Sequence, residues 1–240
     1  MSGRSRSSTL YLKKLEKLEI CSCEELESII GGATDEEESL TSSTSPLPPD
    51  DAFSQLQSIK IESCPKMKNV VGPELLPLLH NLRRIRVNEA SNMEEIIAVP
   101  SPTSIPAATF PLQLPLLTSI SVLGCSEMKR VLTLELFMFL PNLQTIHVHD
   151  CKEMKDVIGG QELDHGATSS LFLSPITAAS PGIQLSTRKL TLNLSDLKEL
   201  ESICSWTRLR DLIHVIYISR CPKLKRIEML DDASPPPALK

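Results

Sequence analysis

The sequence predicts an α/β solenoid, a short coil repeated about seven times and stacked on itself. Three observations carry that expectation. One apolar ruler fits seven segments of the chain, and a cysteine recurs at one mark of it. Three stretches that interrupt the ruler are rich in Ser, Thr, Pro and Gly. The expected build is a horseshoe with a parallel β-sheet on its concave side. Its convex returns are irregular or short helical segments.

The ruler is set on Cys151, around which Leu140, Leu143, Ile146, Val148, Met154 and Val157 are the apolar marks. In chain order, the same marks around Cys23 are Leu12, Leu15, Leu18, Ile20, Leu26 and Ile29. Around Cys64 they are Phe53, Leu56, Ile59, Ile61, Met67 and Val70. The third copy has Ala90 in the cysteine slot, framed by Leu79, Leu82, Ile85, Val87, Met93 and Ile96. The fourth has Cys125, with Leu114, Leu117, Ile120, Val122, Met128 and Val131. Cys151 centres the fifth. Two looser copies follow: Leu197 with Leu192, Leu194, Leu200 and Ile203, and Cys221 with Ile216, Ile218, Leu224 and Ile227. Chance does not place five copies in perfect phase. The frame is close to the leucine-rich-repeat pattern, in which each coil supplies one short strand.

The marks two apart define the strand. In "SIKIES", Ile59 and Ile61 point inwards while Ser58, Lys60 and Glu62 point to the other face, because strand side chains alternate. A single coil cannot bury its apolar edge, and stacked coils bury it against each other. The slot turns the chain off the sheet; a small, weakly polar thiol fits there and can hydrogen-bond a neighbouring backbone group. The later marks lie three apart, which suits a loose helical or irregular return rather than a second strand. Cys125 and Cys151, in consecutive coils, are expected near each other. Free thiols are the favoured reading there, with a disulfide the lesser one.

Slot-to-slot intervals of 24 to 26 residues separate several neighbours, and three are longer. The repeat region is expected over 12–230, between disordered segments at 1–11 and 231–240. Polar insertions near 31–52, 98–113 and 159–184 are expected to loop out from the return side, since they hold too little apolar surface to pack. The acidic run Asp35 to Glu38 reads as solvated loop, with an acidic docking motif as the alternative. Acids and prolines in "LDDASPPPALK" stop the frame, whereas at the other end it already runs by Leu12 with no polar cap before it. That asymmetry suggests a solenoid cut from something longer, or an atypical cap.

Composition narrows the function. A formal net charge of −5 and a pI of about 5.6 give no general attraction to nucleic acid or anionic lipid. With aromatics at 3%, and Trp206 the one tryptophan, stacking platforms are not expected. No secretory signal and no continuous apolar span are visible. Seven cysteines without a signal read as reduced thiols in the cytosol or nucleus. His147, His149 and Cys151 have metal-like spacing, but the slot claims Cys151 for the core and leaves the histidines on the opposite face. No metal and no cofactor is expected. The chain has no G-x-x-x-x-G-K-[ST], no G-x-S-x-G, no H-E-x-x-H and no paired C-x-x-C; Cys21 and Cys23 form a lone C-x-C. The sequence is read as non-enzymatic.

"LEKLEICSCEELESII", "FSQLQSIKIESCPKMKNVV", "LHNLRRIRVNEASNMEEII" and "LPNLQTIHVHDCKEMKDVI" resemble the C-terminal leucine-rich repeats of plant disease-resistance proteins. The closest kind is the coiled-coil nucleotide-binding leucine-rich-repeat receptors. The resemblance implies a cytoplasmic protein-recognition module acting in defence. It would bind a pathogen effector or a modified host protein and restrain a nucleotide-binding switch that this chain lacks. The partner is thus protein, which could include a nucleotide-binding domain of the same receptor, and neither nucleic acid nor membrane. By the family's logic the ligand face uses outward strand positions: Lys60 and Glu62; Arg84, Arg86 and Asn88; Thr145, His147 and His149; Asn193; and Tyr217. Ser58, Ser119, Ser121 and Val215 share it. Lys60, Arg84 and Arg86 are expected to form a basic spot, with Tyr217 as an aromatic anchor. Alternatives are a free-standing adaptor and a truncated receptor fragment without signalling activity.

Overall fold

The computed structural model describes residues 12–30, 52–98, 114–133, 136–137, 139–159, 189–204, 212–225 and 227. The two tails, the acidic run and the bulk of the three insertions lie outside the described residues. In chain order the strands are β1 (Lys17–Cys21), β2 (Ser58–Glu62), β3 (Arg84–Asn88), β4 (Ser119–Leu123), β5 (Leu132–Thr133) and β6 (Thr145–His149). They continue with β7 (Asp156–Gly159), β8 (Leu190–Ser195), β9 (Ser202–Cys204) and β10 (Ile213–Ser219).

Seven strands form one sheet in the order β1-β2-β3-β4-β6-β8-β10, every pair parallel. Each coil therefore contributes one strand, as the ruler requires. The register follows the ruler as well. Ile59, Ile85, Ile120, Ile146, Leu192 and Ile216 pair in one line. Ile61, Val87, Val122, Val148, Leu194 and Ile218 pair in the next. From β2 to β8 these residues are buried. On the last strand, β10, Ile216 and Ile218 are half-buried, because a neighbour covers only one side. A one-residue slip would send a whole apolar line to solvent, so burial fixes the register.

The slot residues Cys64, Ala90, Cys125, Cys151 and Leu197 are fully buried. The thiols of Cys23, Cys64, Cys125, Cys151 and Cys221 each donate to the carbonyl two residues earlier, at 3.3 to 3.6 Å. At Glu62, Leu123, His149 and Ser219 the thiol is a second donor to a carbonyl that also accepts an N–H from the preceding coil.

A second constant of the turn is not visible in the apolar pattern. The residue before every slot has a left-handed backbone: Ser22, Ser63, Glu89, Gly124, Asp150, Asp196 and Arg220, with φ between 50° and 64°. This conformation swings the chain from the sheet into the core. For an L-residue it costs roughly 1–2 kcal/mol. The turn offsets that cost by aiming the residue's N–H at the next coil. Ser22 donates to Glu62 O, Ser63 to Asn88 O, Glu89 to Leu123 O, Gly124 to His149 O, Asp150 to Ser195 O and Asp196 to Ser219 O, at 2.8 to 3.1 Å. Six of the seven positions carry a side chain, so glycine is not required for the turn. At Gly124 an added Cβ would meet the Glu89 side chain at 3.4 Å. Gly124→Val, β-branched at positive φ, should lower stability by about 1–2 kcal/mol, and Gly124→Asn by clearly less. Urea midpoints of the two variants check this; equal midpoints would contradict it.

The return side departs from the expectation of no second strand. β5, β7 and β9 form a three-stranded parallel sheet, and Val71 bridges Ile97 in the same manner two coils earlier. The reason is stacking. Coils in register bring equivalent return segments within hydrogen-bonding distance, and apolar pairs such as Val157-Ile158 hold them extended. Spacing within one coil cannot reveal a ladder made between coils. The returns also include a short helical piece, the 3-10 turn Leu76–Leu78.

Candidate interaction face

Outward positions of the seven-stranded sheet fall into three lines running across the strands. The middle line is Glu19, Lys60, Arg86, Ser121, His147, Asn193, Tyr217. On one side lie Lys17, Ser58, Arg84, Ser119, Thr145 and Thr191. On the other lie Cys21, Glu62, Asn88, Leu123, His149, Ser195 and Ser219. All ten residues singled out from the sequence therefore share one face, and five of them stand in the middle line.

Electrostatics divide this face. On β1 and β2 the charges cancel locally. Lys17 pairs with Glu19 at 2.8 Å, and Lys60 pairs with Glu62 two residues along its own strand. The hydrogen bond from Lys60 holds the Glu62 carboxyl below its usual value, with the amide of Asn88 contributing less. Glu62 in turn raises Lys60. Lys60 does neighbour Arg86 across the strands, but its charge is answered by Glu62. The expected three-residue basic spot is thus reduced to Arg84 and Arg86, which are both exposed.

On β3, β4, β6, β8 and β10 the outward positions contain no carboxylate. They hold Arg84, Arg86, His147 and His149 among serines, threonines, asparagines, Leu123, Val215 and Tyr217. Carboxylates resume beyond the strand ends, at Glu89, Asp150 and Asp196. Ser121 faces outwards and is nevertheless only 9% exposed. Its neighbours in the line are Arg86 and His147, long side chains that wall it in. The result is a floor of Ser119 and Ser121 between two higher sides. Burial depresses the His147 pKa, and the nearby His149 and Arg86 depress it further. Beyond β2, the permanent positive charge of the middle line therefore rests on Arg86. Asn88 keeps its side-chain oxygen buried beside this floor without a hydrogen-bond donor.

At the margin of the face sits a cluster that reading by strand alternation missed. His149 Nδ1 lies 2.8 Å from Ser195 Oγ and 3.2 Å from Asp196 Oδ2. Asp196 also receives a two-pronged contact from Arg220, which holds its carboxyl below the usual range. The signal was available: the ruler sets Ser195, Asp196 and Arg220 at fixed offsets before their slots. Serine and aspartate contact the same ring nitrogen, so they cannot form a relay through the imidazole. The cluster ties the last three coils together. Among the described residues, no group of three or more His, Cys, Asp or Glu side chains could hold a metal ion.

The slot thiols are chemically quiet. Burial pushes Cys125 up to about 11 and Cys151 up to about 12 from an ordinary 9.0. A raised thiol pKa favours the neutral form in the folded state. Its contribution to stability is complete below pH 9.0 and is lost as pH rises through the range 11 to 12. All seven cysteines are free, and Cys21 is exposed. Native chain treated with iodoacetamide at mildly alkaline pH should be labelled at Cys21 and spared at Cys64, Cys125 and Cys151. Peptide mapping reads the pattern; labelling of the slot thiols at the rate of Cys21 would contradict their burial.

These features define a leucine-rich-repeat solenoid. A family model described as plant disease resistance protein RPS2-like, leucine-rich repeats, matches residues 34–105 and 104–229. The chain belongs to that family of plant disease-resistance leucine-rich repeats. The coil around Cys23 precedes the matched residues but pairs with β2 in the same register. No curated protein matches the chain, and no solved structure does. Among the described residues, no helix is long and apolar enough to cross a membrane.

Proposed function

We propose that this chain is the protein-recognition part of a cytoplasmic plant immune receptor. The outward face of its seven-stranded sheet binds a pathogen effector or a modified host protein and helps restrain a nucleotide-binding switch. The observation that carries this reading is the middle line from Lys60 to Tyr217. It is continuous and in register, and it ends on a tyrosine that is 62% exposed on a strand. Exposed aromatic and arginine side chains on a rigid scaffold are typical interface anchors. A non-catalytic role agrees with the contacts of His149, which connect coils rather than arrange a nucleophile.

Blocking the face without changing its charge tests the reading. Thr145→Trp with Asn193→Trp puts bulk on the face at β6 and β8, between the arginines and Tyr217, and leaves the buried lines intact. Expressed in leaf tissue, the doubly substituted chain should keep its circular dichroism and lose the proteins that co-precipitate with the unaltered chain. An unchanged set of co-precipitating proteins would mean that recognition lies elsewhere.

A further inference from the structure

Resting on the recognition reading above, we infer that the ligand segment is an extended acidic peptide, laid across the strands along the middle line. Its carboxylates meet Arg84 and Arg86, and an apolar side chain about six residues away meets Tyr217 and Val215. Three independent features lead there. The first is charge. Arg84 and Arg86 stand exposed on a protein of net charge −5, and the outward positions of their own strand and the four beyond it offer them no carboxylate. Two guanidiniums held two residues apart on a strand match planar acids, which they can grip with paired hydrogen bonds.

The second feature is shape. Beside the arginines, Ser119 and Ser121 lower the face, and Ser121 is walled in by Arg86 and His147. An extended segment crosses this row one side chain at a time and can set a small side chain into the dip between Arg86 and His147, whereas a helix about 10 Å across would rest on those two side chains. The third is length. Arg86 and Tyr217 are separated by four strand spacings, about 19 Å at 4.8 Å each. An extended chain covers that distance in roughly six residues. Nucleic acid is the other polyanion to weigh. It would bring a phosphate to every step, and beyond Arg84 and Arg86 the line supplies hydroxyls, an amide and a histidine kept largely neutral.

The test uses fluorescein-labelled peptides and the full chain, read by anisotropy. The main probe carries two glutamates, a Gly/Ser spacer and a leucine about six residues on. One control replaces the glutamates by lysines, another sets the leucine directly beside the glutamates, and a third probe is a short single-stranded oligonucleotide. The main probe should bind saturably and at least about tenfold more tightly than either peptide control. Arg84→Gln with Arg86→Gln should weaken it about tenfold, and Tyr217→Ala should erase the advantage of the long spacing. No saturable binding, equal binding of the lysine peptide, or tighter binding of the oligonucleotide would overturn the inference. If the double tryptophan variant still loses its co-precipitating proteins while the acidic peptide fails, the face recognises something else and only the acidic ligand is lost. If both fail, the recognition reading falls with it.

Discussion

Val148→Asp is expected to abolish cooperative unfolding, while His147→Asp, one residue away, changes stability by less than about 0.5 kcal/mol. Val148 is fully buried between Val122 and Leu194, whereas His147 is exposed. No cationic side chain faces Val148 in its buried line, so a carboxylate there has no partner. An uncompensated buried charge costs at least about 3 kcal/mol, a large part of the stability of an ordinary domain. The position is also central. Each coil of a solenoid is held mainly by its neighbours, so losing β6 separates β8 and β10 from β1 to β4. Urea denaturation followed by circular dichroism checks the pair of variants. Similar losses from both would mean that the side chains of β6 do not alternate between core and solvent.

The second large effect is on binding. Arg84→Glu with Arg86→Glu should reduce partner capture by at least about tenfold, or about 1.4 kcal/mol, with the fold unchanged. Both side chains are exposed, with Ser58, Lys60, Ser119 and Ser121 as cross-strand neighbours, so the fold does not depend on them. The substitution changes the face from two fixed positive charges to two negative ones. Lys60 cannot substitute for them, because Glu62 already holds it. Reversal at Lys17 and Glu19, which form their own pair at the edge of the sheet, should have little effect on capture. Quantitative co-precipitation, with circular dichroism as the fold control, compares the variants. Capture that survives the double reversal in a folded chain would remove the arginines from the site.

The fold was legible because its main signal lies within each coil. Apolar marks two apart give the strand and its buried side, and the recurring Cys gives the turn. The slot is where the sequence spoke most plainly: Cys64, Cys125 and Cys151 are each buried and each donate to a carbonyl two residues back. What was not legible depends on contacts between coils. The ladder of β5, β7 and β9 is one example, because its strands become strands only when stacked. The left-handed turn residues are another. Six of seven are Ser, Glu, Asp or Arg, so no glycine signature marks them.

The candidate face was legible to a similar depth. Alternation placed all ten residues on one side of the sheet, but it could not show which charges were already paired. Lys60 looked like a member of a basic spot and is bound to Glu62 on its own strand. Ser121 looked like an ordinary exposed serine and is enclosed by its cross-strand neighbours. Asp196 and Arg220 lay one position past the strand ends and outside the alternation altogether.

The most direct measurement is site-specific photocrosslinking in leaf tissue. A photoreactive phenylalanine analogue at Asn193, in the middle line of the face on β8, is compared with the same analogue at Lys155, exposed near the return side. Adducts with a discrete partner from position 193 and none from position 155 are the predicted result. Adducts from position 155 alone would place recognition on the other side of the solenoid and contradict the account.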